Sequence, residues 1–598
     1  MRAKNLRIGS IFKFIGALFL TFALPISNIS NAVAASNSPI VIDKNLTMKD
    51  GVSIDTSLFL PKSVPAPAIM IAHGFGGSKD SVKSQAEYFR KAGYVVLTWS
   101  ARGFGKSTGQ IMMNSINGEI SDSKNLIDYL SANKDVIKNA NGDPVVGIMG
   151  SSYGGADALM TASEDPRIDA VIADITWNNL ENALFPQSID GSTEPGPFKK
   201  VWAGTFFTGG ALQNAYLGEC GSFADVWCTS YKNSASGKPL TVDEIKLLNS
   251  VSPSSYLNNL KVPLLLSQGQ ADSLFPLNES YKTASALRKL NPKADISMIW
   301  HAGGHDGGVD ESQFLNQNYL TWFNHYLRGN KREISRFQYT NVKGSISLQD
   351  STVIPKTFTS TSLPIDSQIQ SLPIVTPVTA ISYPVAGVPT AISALPGLGS
   401  ANSVAGRLLS NVAGFSPAFL PGQGGFLESA PLDKPLTIIG PSKIKVRITS
   451  TSRDATLFFS LVTKSPTGAI FQPNGIVAPI KLNNIPKKGS DVTISLPAVI
   501  LNAAIGDQIA VGISSTDQGY ALPTESRFYS ISTLSPLQFQ TQITKAENRG
   551  KVAFIWPISA IIFLILSVIF IRVRRPKVGS DQIESKSFID VVGLGKVY

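Results

Sequence analysis

A glycine-flanked serine is the residue of this sequence best suited to covalent chemistry. Residues 150–154 read Gly-Ser-Ser-Tyr-Gly; they follow an apolar run, 145–149, and precede a helix-compatible run, 156–163. A G-x-S-x-G motif between a strand and a helix is typical of a sharp turn that holds the serine hydroxyl clear of the backbone, beside the positive end of a helix. Ser152 is therefore the candidate nucleophile.

A serine hydroxyl needs a base to attack a carbonyl carbon, and the chain has four histidines. His305 lies in a glycine-rich segment, residues 301–307, directly after the last candidate strand. That is the chain-order position of the base, because folds with this motif run serine, then acid, then histidine. His301 is the alternative base. His325 lies in a helix-like segment and is expected to pack or face solvent, and His73 is expected to orient its own loop by hydrogen bonding.

The acid that orients the histidine should lie in the loop after the preceding strand. Asp272 is placed there, within residues 269–276, after the β-rich run 262–267. Its role would be to hold the imidazole tautomer and to stabilise the imidazolium. Asp306 and Asp310 are the alternatives, as solvated carboxylates of the histidine loop.

Stabilising the oxyanion of an acyl-transfer reaction requires two backbone N–H donors. The N–H of Tyr153, directly after the nucleophile, is one candidate. The N–H of Phe75 is the other, in the segment His73-Gly74-Phe75-Gly76-Gly77 after the first apolar strand. The glycines of this segment would let the backbone approach a substrate.

Short β-rich runs alternate with helix-like segments from about residue 37 to 330. This alternation predicts a mostly parallel sheet with helices on both faces, and in such sheets reactive groups gather beyond the carboxyl ends of the strands. The candidate strands are residues 68–73, 94–99, 145–150, 170–174, 262–267 and 296–300, and the candidate helices are residues 84–92, 119–130 and 279–290.

Two other segments do not show this alternation of strands and helices. Residues 177–257 are rich in Asn, Gly, Trp and Phe and are predicted to form a cap over the site. Residues 351–425 are dense in Ser, Pro, Thr and Gly, and alternating runs follow them, which is typical of a β-sandwich. We therefore divide the chain into an α/β domain at 35–333 and a sandwich at 334–545.

The residues around Ser152 resemble the Xaa-Pro dipeptidyl-peptidase (peptidase S15) and cocaine-esterase-like group of α/β-hydrolases. Gly-Ser-Ser-Tyr-Gly-Gly at 150–155 fits its G-x-S-Y-x-G motif, and Arg-Gly-Phe-Gly-Lys-Ser-Thr-Gly at 102–109 is similar to its R-G-x-G-x-S-x-G segment. Residues 252–256 and 269–276 are also similar, as are 426–432 in the sandwich. The resemblance implies an α/β-hydrolase fold with a cap insertion, followed by an all-β jelly-roll domain.

The same resemblance leaves the substrate open. Ser100 stands where the group usually has an acidic residue, and the first-strand loop lacks the oxyanion-hole tyrosine of cocaine-esterase-like members. The resemblance favours an Xaa-Pro dipeptidyl-peptidase, which needs an anchor for a free α-amino group, and Glu181 and Glu219 are available for it. A carboxylesterase, which needs no such anchor, is the alternative. A catalytically silent binding or scaffold protein that keeps the fold is the third hypothesis.

The two ends of the chain have the composition of targeting segments. Residues 1–34 combine four basic residues, an apolar run and Ala-Val-Ala, which predicts a signal peptide. Residues 552–571 are uncharged and long enough to cross a bilayer as a transmembrane helix. Basic residues begin the tail 572–598, so we expect a single-pass membrane protein with its catalytic domain outside the cytoplasm and this tail inside.

Charge and cysteine content exclude other classes of function. The net charge is +11, but the first 34 residues carry +4 and the tail carries +3. The basicity therefore belongs to the ends and does not indicate a nucleic-acid partner. Cys220 and Cys228 are the two cysteines, which predicts one disulfide or leaves two free thiols. No cofactor or metal is expected, and the expected partner is a small-molecule or peptide substrate.

Overall fold

The structure is a computed structural model and describes residues 40–213, 218–343, 352–384, 390–393, 416–549 and 552–555. The predicted signal peptide, the tail 572–598 and residues 556–571 lie outside the described residues.

The described residues form an α/β part followed by an all-β part. The strands of the first part are β1 Ile40–Thr47, β2 Ser53–Leu60, β3 Ala68–Ala72, β4 Val95–Trp99, β5 Val146–Ser151, β6 Ile168–Asp174, β7 Leu264–Gly269, β8 Ile296–His301, β9 Gly308–Val309, β10 Phe337–Lys343 and β11 Thr352–Ser360. Its helices are α1 Lys83–Lys91, α2 Glu119–Ala132, α3 Tyr153–Glu164, α4 Leu180–Leu184, α5 Lys200–Gln213, α6 Asp225–Ala235, α7 Val242–Ser250, α8 Asn278–Leu290 and α9 Ser312–Arg328.

The remaining strands follow in chain order. They are β12 Ile369–Leu372, β13 Val378–Tyr383, β14 Gly424–Glu428, β15 Leu436–Gly440, β16 Lys443–Ser450, β17 Ala455–Lys464, β18 Ile470–Phe471, β19 Ala478–Leu482, β20 Ser490–Ser495, β21 Val499–Ala503, β22 Gln508–Ser514, β23 Arg527–Thr533, β24 Leu537–Gln540, β25 Lys545–Asn548 and β26 Val552–Ile555.

A large twisted sheet is the core of the α/β part, with the strand order β1-β2-β4-β3-β5-β6-β7-β8-β10-β11. Strands β4, β3, β5, β6, β7 and β8 are parallel to one another, and helices cover both faces. Side chains alternate between faces along a strand, so Ile69 and Ile71 of β3 pack with α1 and α9, whereas Met70 packs with α2, α3 and α8. The six strands and three helices predicted from the sequence all occur, each within two residues of its predicted ends.

Four helices, α4 to α7, interrupt the sheet between β6 and β7, where the composition predicts a cap. Their aromatic side chains pack with residues from the loops at the carboxyl edge of the sheet, including Phe75, Phe104 and Tyr153. Cys220 and Cys228 form a disulfide that ties the beginning of α6 to the preceding loop. These helices therefore lie over the edge at which the candidate site residues are found.

The all-β part is built from two larger sheets, β12-β24-β16-β23-β13 and β14-β22-β17-β18. Strand β16 shows how the sequence determines their packing: Ile444, Val446 and Ile448 are buried between the sheets and alternate with the exposed Lys445 and Arg447. Strands β10 and β11 instead extend the large α/β sheet, although they lie within the segment 334–545 that was expected to form the sandwich.

The predicted transmembrane helix is corrected by the structure. Val552–Ile555, the first residues of that apolar run, form strand β26, which pairs with β11 and with β9. Within the described ranges, no helix has both the length and the apolar composition needed to span a bilayer. An uncharged apolar run suits a buried strand as well as a span, because in both settings its backbone groups are hydrogen-bonded away from water. The transmembrane helix in the predicted fold class is therefore wrong. The predicted single-pass localisation with a cytoplasmic tail, which was derived from that helix, is wrong as well.

Candidate active site

Ser152 lies in the sharp turn between β5 and α3. Its φ and ψ angles are 57° and −118°, a backbone conformation that a non-glycine residue adopts at a cost. The turn is possible because glycines lie two residues before and two residues after Ser152. A Cβ on Gly150 would lie 2.3 Å from the carbonyl oxygen of Gly154, and a Cβ on Gly154 would lie 2.4 Å from the carbonyl oxygen of Ala72. The G-x-S-x-G spacing thus places Ser152 at the head of a helix and facing the cap.

A continuous chain of hydrogen bonds joins the three residues predicted as nucleophile, base and acid. Ser152 Oγ lies 2.8 Å from His305 Nε2, and His305 Nδ1 lies 2.6 Å from Asp272 Oδ2. The other oxygen of Asp272 accepts the N–H of Phe275 at 2.7 Å, which fixes the carboxylate. Asp272 has no exposed surface, so its charge acts on His305 without screening by water.

Electrostatics favour a charged imidazole at this position. Burial of the ring opposes its protonation, but the charge of Asp272 and its hydrogen bond outweigh burial, so the pKa of His305 is raised. Asp306, an alternative acid in the sequence, is also buried; its Oδ2 accepts the N–H of Ser273 at 2.5 Å. Burial, and then the nearby Asp272 carboxylate, raise the pKa of Asp306 to about 7. Asp272 therefore pairs with His305, whereas Asp306 accepts a hydrogen bond from the backbone of the loop that contains Asp272.

The glycine-rich loop after β3 lies beside Ser152. A Cβ on Gly74 would meet the Ser152 Cβ at 3.8 Å, and the ring of Phe75 packs edge-on against that of Tyr153, 5.6 Å between centroids. Within the described part of the chain, the N–H of Phe75 donates to no protein acceptor. His73 donates from Nδ1 to the Gly74 carbonyl oxygen at 2.7 Å, and burial lowers its pKa to about 4, so this neutral ring orients the loop.

A buried polar network holds the side chain of Tyr153 below the site. The Tyr153 hydroxyl donates to Glu119 at 2.9 Å, and Asn114 donates from Nδ2 to the Tyr153 carbonyl oxygen at 2.8 Å. Arg102, the first residue of the R-G-x-G segment, makes a bidentate pair with Asp122, at 2.6 and 2.7 Å, one turn along α2 from Glu119. This network positions Tyr153, the residue after Ser152, and it gives the tyrosine and the arginine of the two motifs a structural role.

A cavity of about 840 Å³, counted with its open mouth, extends from Ser152 into the cap. Its lining is aromatic and aliphatic apart from serine and tyrosine hydroxyls, and none of the described residues that form it is charged. They are Phe75, Met113, Ser152, Tyr153, Trp177, Leu180, Leu184, Phe185, Phe198, Ala203, Phe206, Phe207, Phe223, Trp227, Ser230, Tyr231, Ser234, Leu248, Leu274 and Phe275.

The cap also holds the acid loop directly, through two residues that no sequence pattern indicates. Lys199, only 4% exposed, donates from Nζ to the carbonyl oxygens of Ser273 and Leu274 at 2.9 and 2.8 Å. Trp202, on α5, donates from Nε1 to Ser273 Oγ at 3.0 Å and packs edge-on against His305. In the sequence Lys199 belongs to a lysine pair that would suggest an exposed surface; its role depends on a loop more than 70 residues away.

His301, the alternative base, belongs to a second histidine–aspartate pair, which lies next to the turn that holds Ser152. Its Nε2 lies 3.2 Å from Asp174 Oδ1, and Asp174 Oδ2 accepts the hydroxyl of Ser151 at 2.8 Å. The carbonyl oxygen of Asp174 accepts the N–H of Ser152 at 2.9 Å. His301 therefore supports the turn that holds Ser152, and among the described residues it makes no hydrogen bond to Ser152 itself.

The other candidates from the sequence make no contact with Ser152 among the described residues. Asp310 is exposed and accepts the N–H of Ser312, and His325 lies on α9, against Tyr326. Glu219 pairs with Lys232 at the surface, and Glu181 contacts Asn182; neither glutamate lines the cavity. Among the described residues, no group of three or more His, Cys, Asp or Glu side chains is arranged to hold a metal ion.

The parallel sheet, the serine turn and the cap define an α/β-hydrolase. The model of the X-Pro dipeptidyl-peptidase (S15 family) matches residues 50–307, and that of the X-Pro dipeptidyl-peptidase C-terminal non-catalytic domain matches residues 421–546. The chain belongs to this X-Pro dipeptidyl-peptidase (S15) family, which is a family of serine hydrolases.

Curated relatives match only part of the chain. The quorum-quenching protein AidA of Acinetobacter baumannii is 34% identical over 125 residues, which are 20% of this chain and 40% of AidA. An uncharacterized protein of Escherichia coli is 25% identical over 149 residues, 22% of this chain and 49% of its own. The chain thus matches less than half of the length of each of these relatives.

Solved structures of the same architecture cover most of the chain. An aminopeptidase from a marine-sediment Thaumarchaeota archaeon is 15% identical, with a TM-score of 0.61 over 86% of this chain and 99% of that one. An α-amino acid ester hydrolase is 14% identical, with a TM-score of 0.58 over 87% and 98%. A CocE/NonD family hydrolase of Staphylococcus aureus is 14% identical, with a TM-score of 0.57 over 84% and 94%. At these identities the likeness establishes the fold.

Proposed function

We propose that this protein hydrolyses esters of apolar acyl groups through an acyl-enzyme on Ser152. The observation that carries the proposal is the hydrogen-bonded series from Ser152 through His305 to Asp272, which opens onto an uncharged, mostly aromatic cavity. Nucleophile, base and orienting carboxylate are the groups that acyl transfer requires.

In the proposed mechanism, Ser152 Oγ attacks the carbonyl carbon while its proton passes to His305 Nε2. Asp272 stabilises the imidazolium that results. The N–H groups of Phe75 and Tyr153 donate to the carbonyl oxygen as it becomes an oxyanion. His305 then protonates the departing alkoxide, and the acyl group stays on Ser152 until a water molecule, deprotonated by the same histidine, releases the carboxylic acid.

The chemistry of the cavity favours an ester over a dipeptide. A free α-amino group is charged at neutral pH, and burying it without a partner is costly. The described lining contains no carboxylate, and the sequence of residues 214–217, between two of the cap helices, contains no acid either. An apolar acyl group, by contrast, gains roughly 0.8 kcal/mol for each methylene that it buries there.

A dipeptidyl-peptidase is the second candidate, because the matching family model is that of X-Pro dipeptidyl-peptidases. Comparing p-nitrophenyl esters of C4 to C10 acids with Xaa-Pro p-nitroanilides separates the two. We expect kcat/KM to rise with acyl length until the cavity is full and the anilides to be poor substrates. Efficient hydrolysis of the anilides with weak activity on every ester would overturn the ester proposal.

The nucleophile itself is tested with a fluorophosphonate probe on the purified full-length protein, followed by peptide mapping. We expect the label on Ser152, none in Ser152→Ala and much less in His305→Ala. Ser250→Ala, which removes an exposed hydroxyl at the end of α7, is the matched control and should label like the wild type. A folded wild-type protein that takes no label would contradict the mechanism and favour a scaffold role.

The division of the chain enters the proposal as well. Residues 177–257 would act as the cap that forms most of the acyl cavity, and the sandwich within 334–545 would brace that cap. Two contacts support this: Ile189 bridges Ile494 of β20, and the N–H of Val201 donates to the carbonyl oxygen of Gly519 at 3.2 Å.

A further inference from the structure

Two serines interrupt the apolar wall of the cavity on helix α6. The buried face of α6 presents Trp227, Ser230 and Ser234 toward the cap interior, at the spacing of one helix face. Such positions normally carry apolar side chains. Ser230 and Ser234 are each 7% exposed, and both line the cavity that contains Ser152.

Neither hydroxyl has a hydrogen-bond partner in the described part of the chain. Serines in helices often donate to the carbonyl oxygen four residues earlier; within the described ranges, no such bond is made by Ser230 or Ser234, although Ser163 makes one to Leu159 in α3. Both side chains are mostly buried, and both line the otherwise apolar cavity from one face of α6. A ligand bound in the cavity can therefore supply the hydrogen bonds that the protein does not make to these two hydroxyls.

The geometry of α6 restricts what that ligand group can be. Residues four apart on a helix are neighbours, about 5–6 Å between Cβ atoms, so one carbonyl oxygen with two lone pairs can accept from both hydroxyls. A charged group is disfavoured because no countercharge lines the cavity. The disulfide of Cys220 with Cys228, two residues before Ser230, holds this end of α6 in place.

We propose that Ser230 and Ser234 form a polar subsite that binds a neutral hydrogen-bond acceptor, such as a ketone or amide carbonyl, on the otherwise apolar acyl chain of the substrate. This subsite rests on the proposed ester hydrolysis at Ser152 and narrows its substrate class. The preferred acyl group is apolar next to the ester carbonyl and carries one carbonyl farther along the chain.

The test compares p-nitrophenyl heptanoate with the 5-oxo- and 6-oxoheptanoate esters, which differ from it by one ketone. The measured quantity is the ratio of kcat/KM for each oxo ester to that for heptanoate. We expect at least one of the two ratios to be about tenfold higher in the wild type than in Ser230→Ala/Ser234→Ala, the size of effect that one or two neutral hydrogen bonds produce. Thr229→Ala, on the exposed side of the same helix, is the control and should keep the wild-type ratio.

The outcomes distinguish the subsite from the function on which it rests. If all esters are hydrolysed and both ratios are equal in the wild type and the double variant, the subsite is refuted while ester hydrolysis stands. If the wild type hydrolyses none of them, ester hydrolysis fails and the subsite with it. Fluorophosphonate labelling of Ser152 and an unchanged thermal midpoint show whether the double variant is folded.

Discussion

Replacing Lys199 with methionine tests whether the cap organises the catalytic residues. The ammonium group of Lys199 holds the carbonyl oxygens of Ser273 and Leu274, the two residues that follow Asp272. Methionine keeps most of the length and the apolar body of the side chain but removes the charge and the donors. The expected result is a large loss of turnover with little loss of stability.

The small effect on stability follows from two opposing quantities. Two hydrogen bonds from a charged donor are lost, roughly 1.5–3 kcal/mol each. Burial lowers the pKa of Lys199 from its ordinary 10.5 to about 8. This shift corresponds to about 3 kcal/mol of destabilisation of the folded protein at neutral pH. The Lys199→Met variant has no buried charge and does not carry this destabilisation. The free energy of unfolding should therefore change by no more than about 2–3 kcal/mol.

The effect on turnover is larger because the acid loop loses its fixed partner. A displacement of about 1 Å in a catalytic group can cost about 100-fold in rate, so we expect kcat to fall about 10- to 100-fold with a smaller change in KM. Lys282→Met removes an exposed cation near the same loop and serves as the matched control. Steady-state kinetics and thermal unfolding of both variants provide the measurements. A Lys199→Met enzyme with wild-type kcat would refute the reasoning.

The same lysine predicts a pH dependence of stability. Because the pKa of Lys199 is lower in the folded state than in the unfolded state, only the unfolded chain binds this proton between pH 8 and 10.5. Stability therefore gains a contribution that grows as the pH rises through this window. Denaturant unfolding at pH 7.5 and pH 10 should show that contribution in the wild type and not in Lys199→Met. An identical pH dependence in the two proteins would contradict it.

Three further predictions concern the site and its support. The raised pKa of His305 means that kcat/KM should fall tenfold per pH unit below that pKa, since the base must be neutral; a flat profile from pH 5 to 8 would argue against His305. Gly154→Ala would place a Cβ 2.4 Å from the carbonyl oxygen of Ala72, so we expect a destabilisation of about 3 kcal/mol, measured by denaturant unfolding. Replacing Cys220 and Cys228 with serine removes a short cross-link and should cost about 2–3 kcal/mol, measured in the same way against the wild type.

The sequence by itself was enough to predict the strands and helices of the α/β part and the positions of the candidate site residues along the chain. Ser152, Asp272 and His305 could each be placed just beyond a predicted strand. The signals used were the apolar runs, the glycines and the strand–turn–helix order, and each of them extends over only about ten residues. The alternation of Ile444, Val446 and Ile448 predicts a sandwich strand for the same reason.

Only the tertiary structure decided which of these groups meet and what surrounds them. The sequence favours His305 as the base and leaves His301 as the alternative; in the structure His301 faces Asp174 and His305 faces Ser152. Lys199 looks like a surface residue until the cap folds over the acid loop. Val552–Ile555, at the start of the apolar run, pair as a strand with β11 and β9. Each of these depends on partners tens to hundreds of residues away, and contacts at that separation leave no periodic pattern in a single sequence.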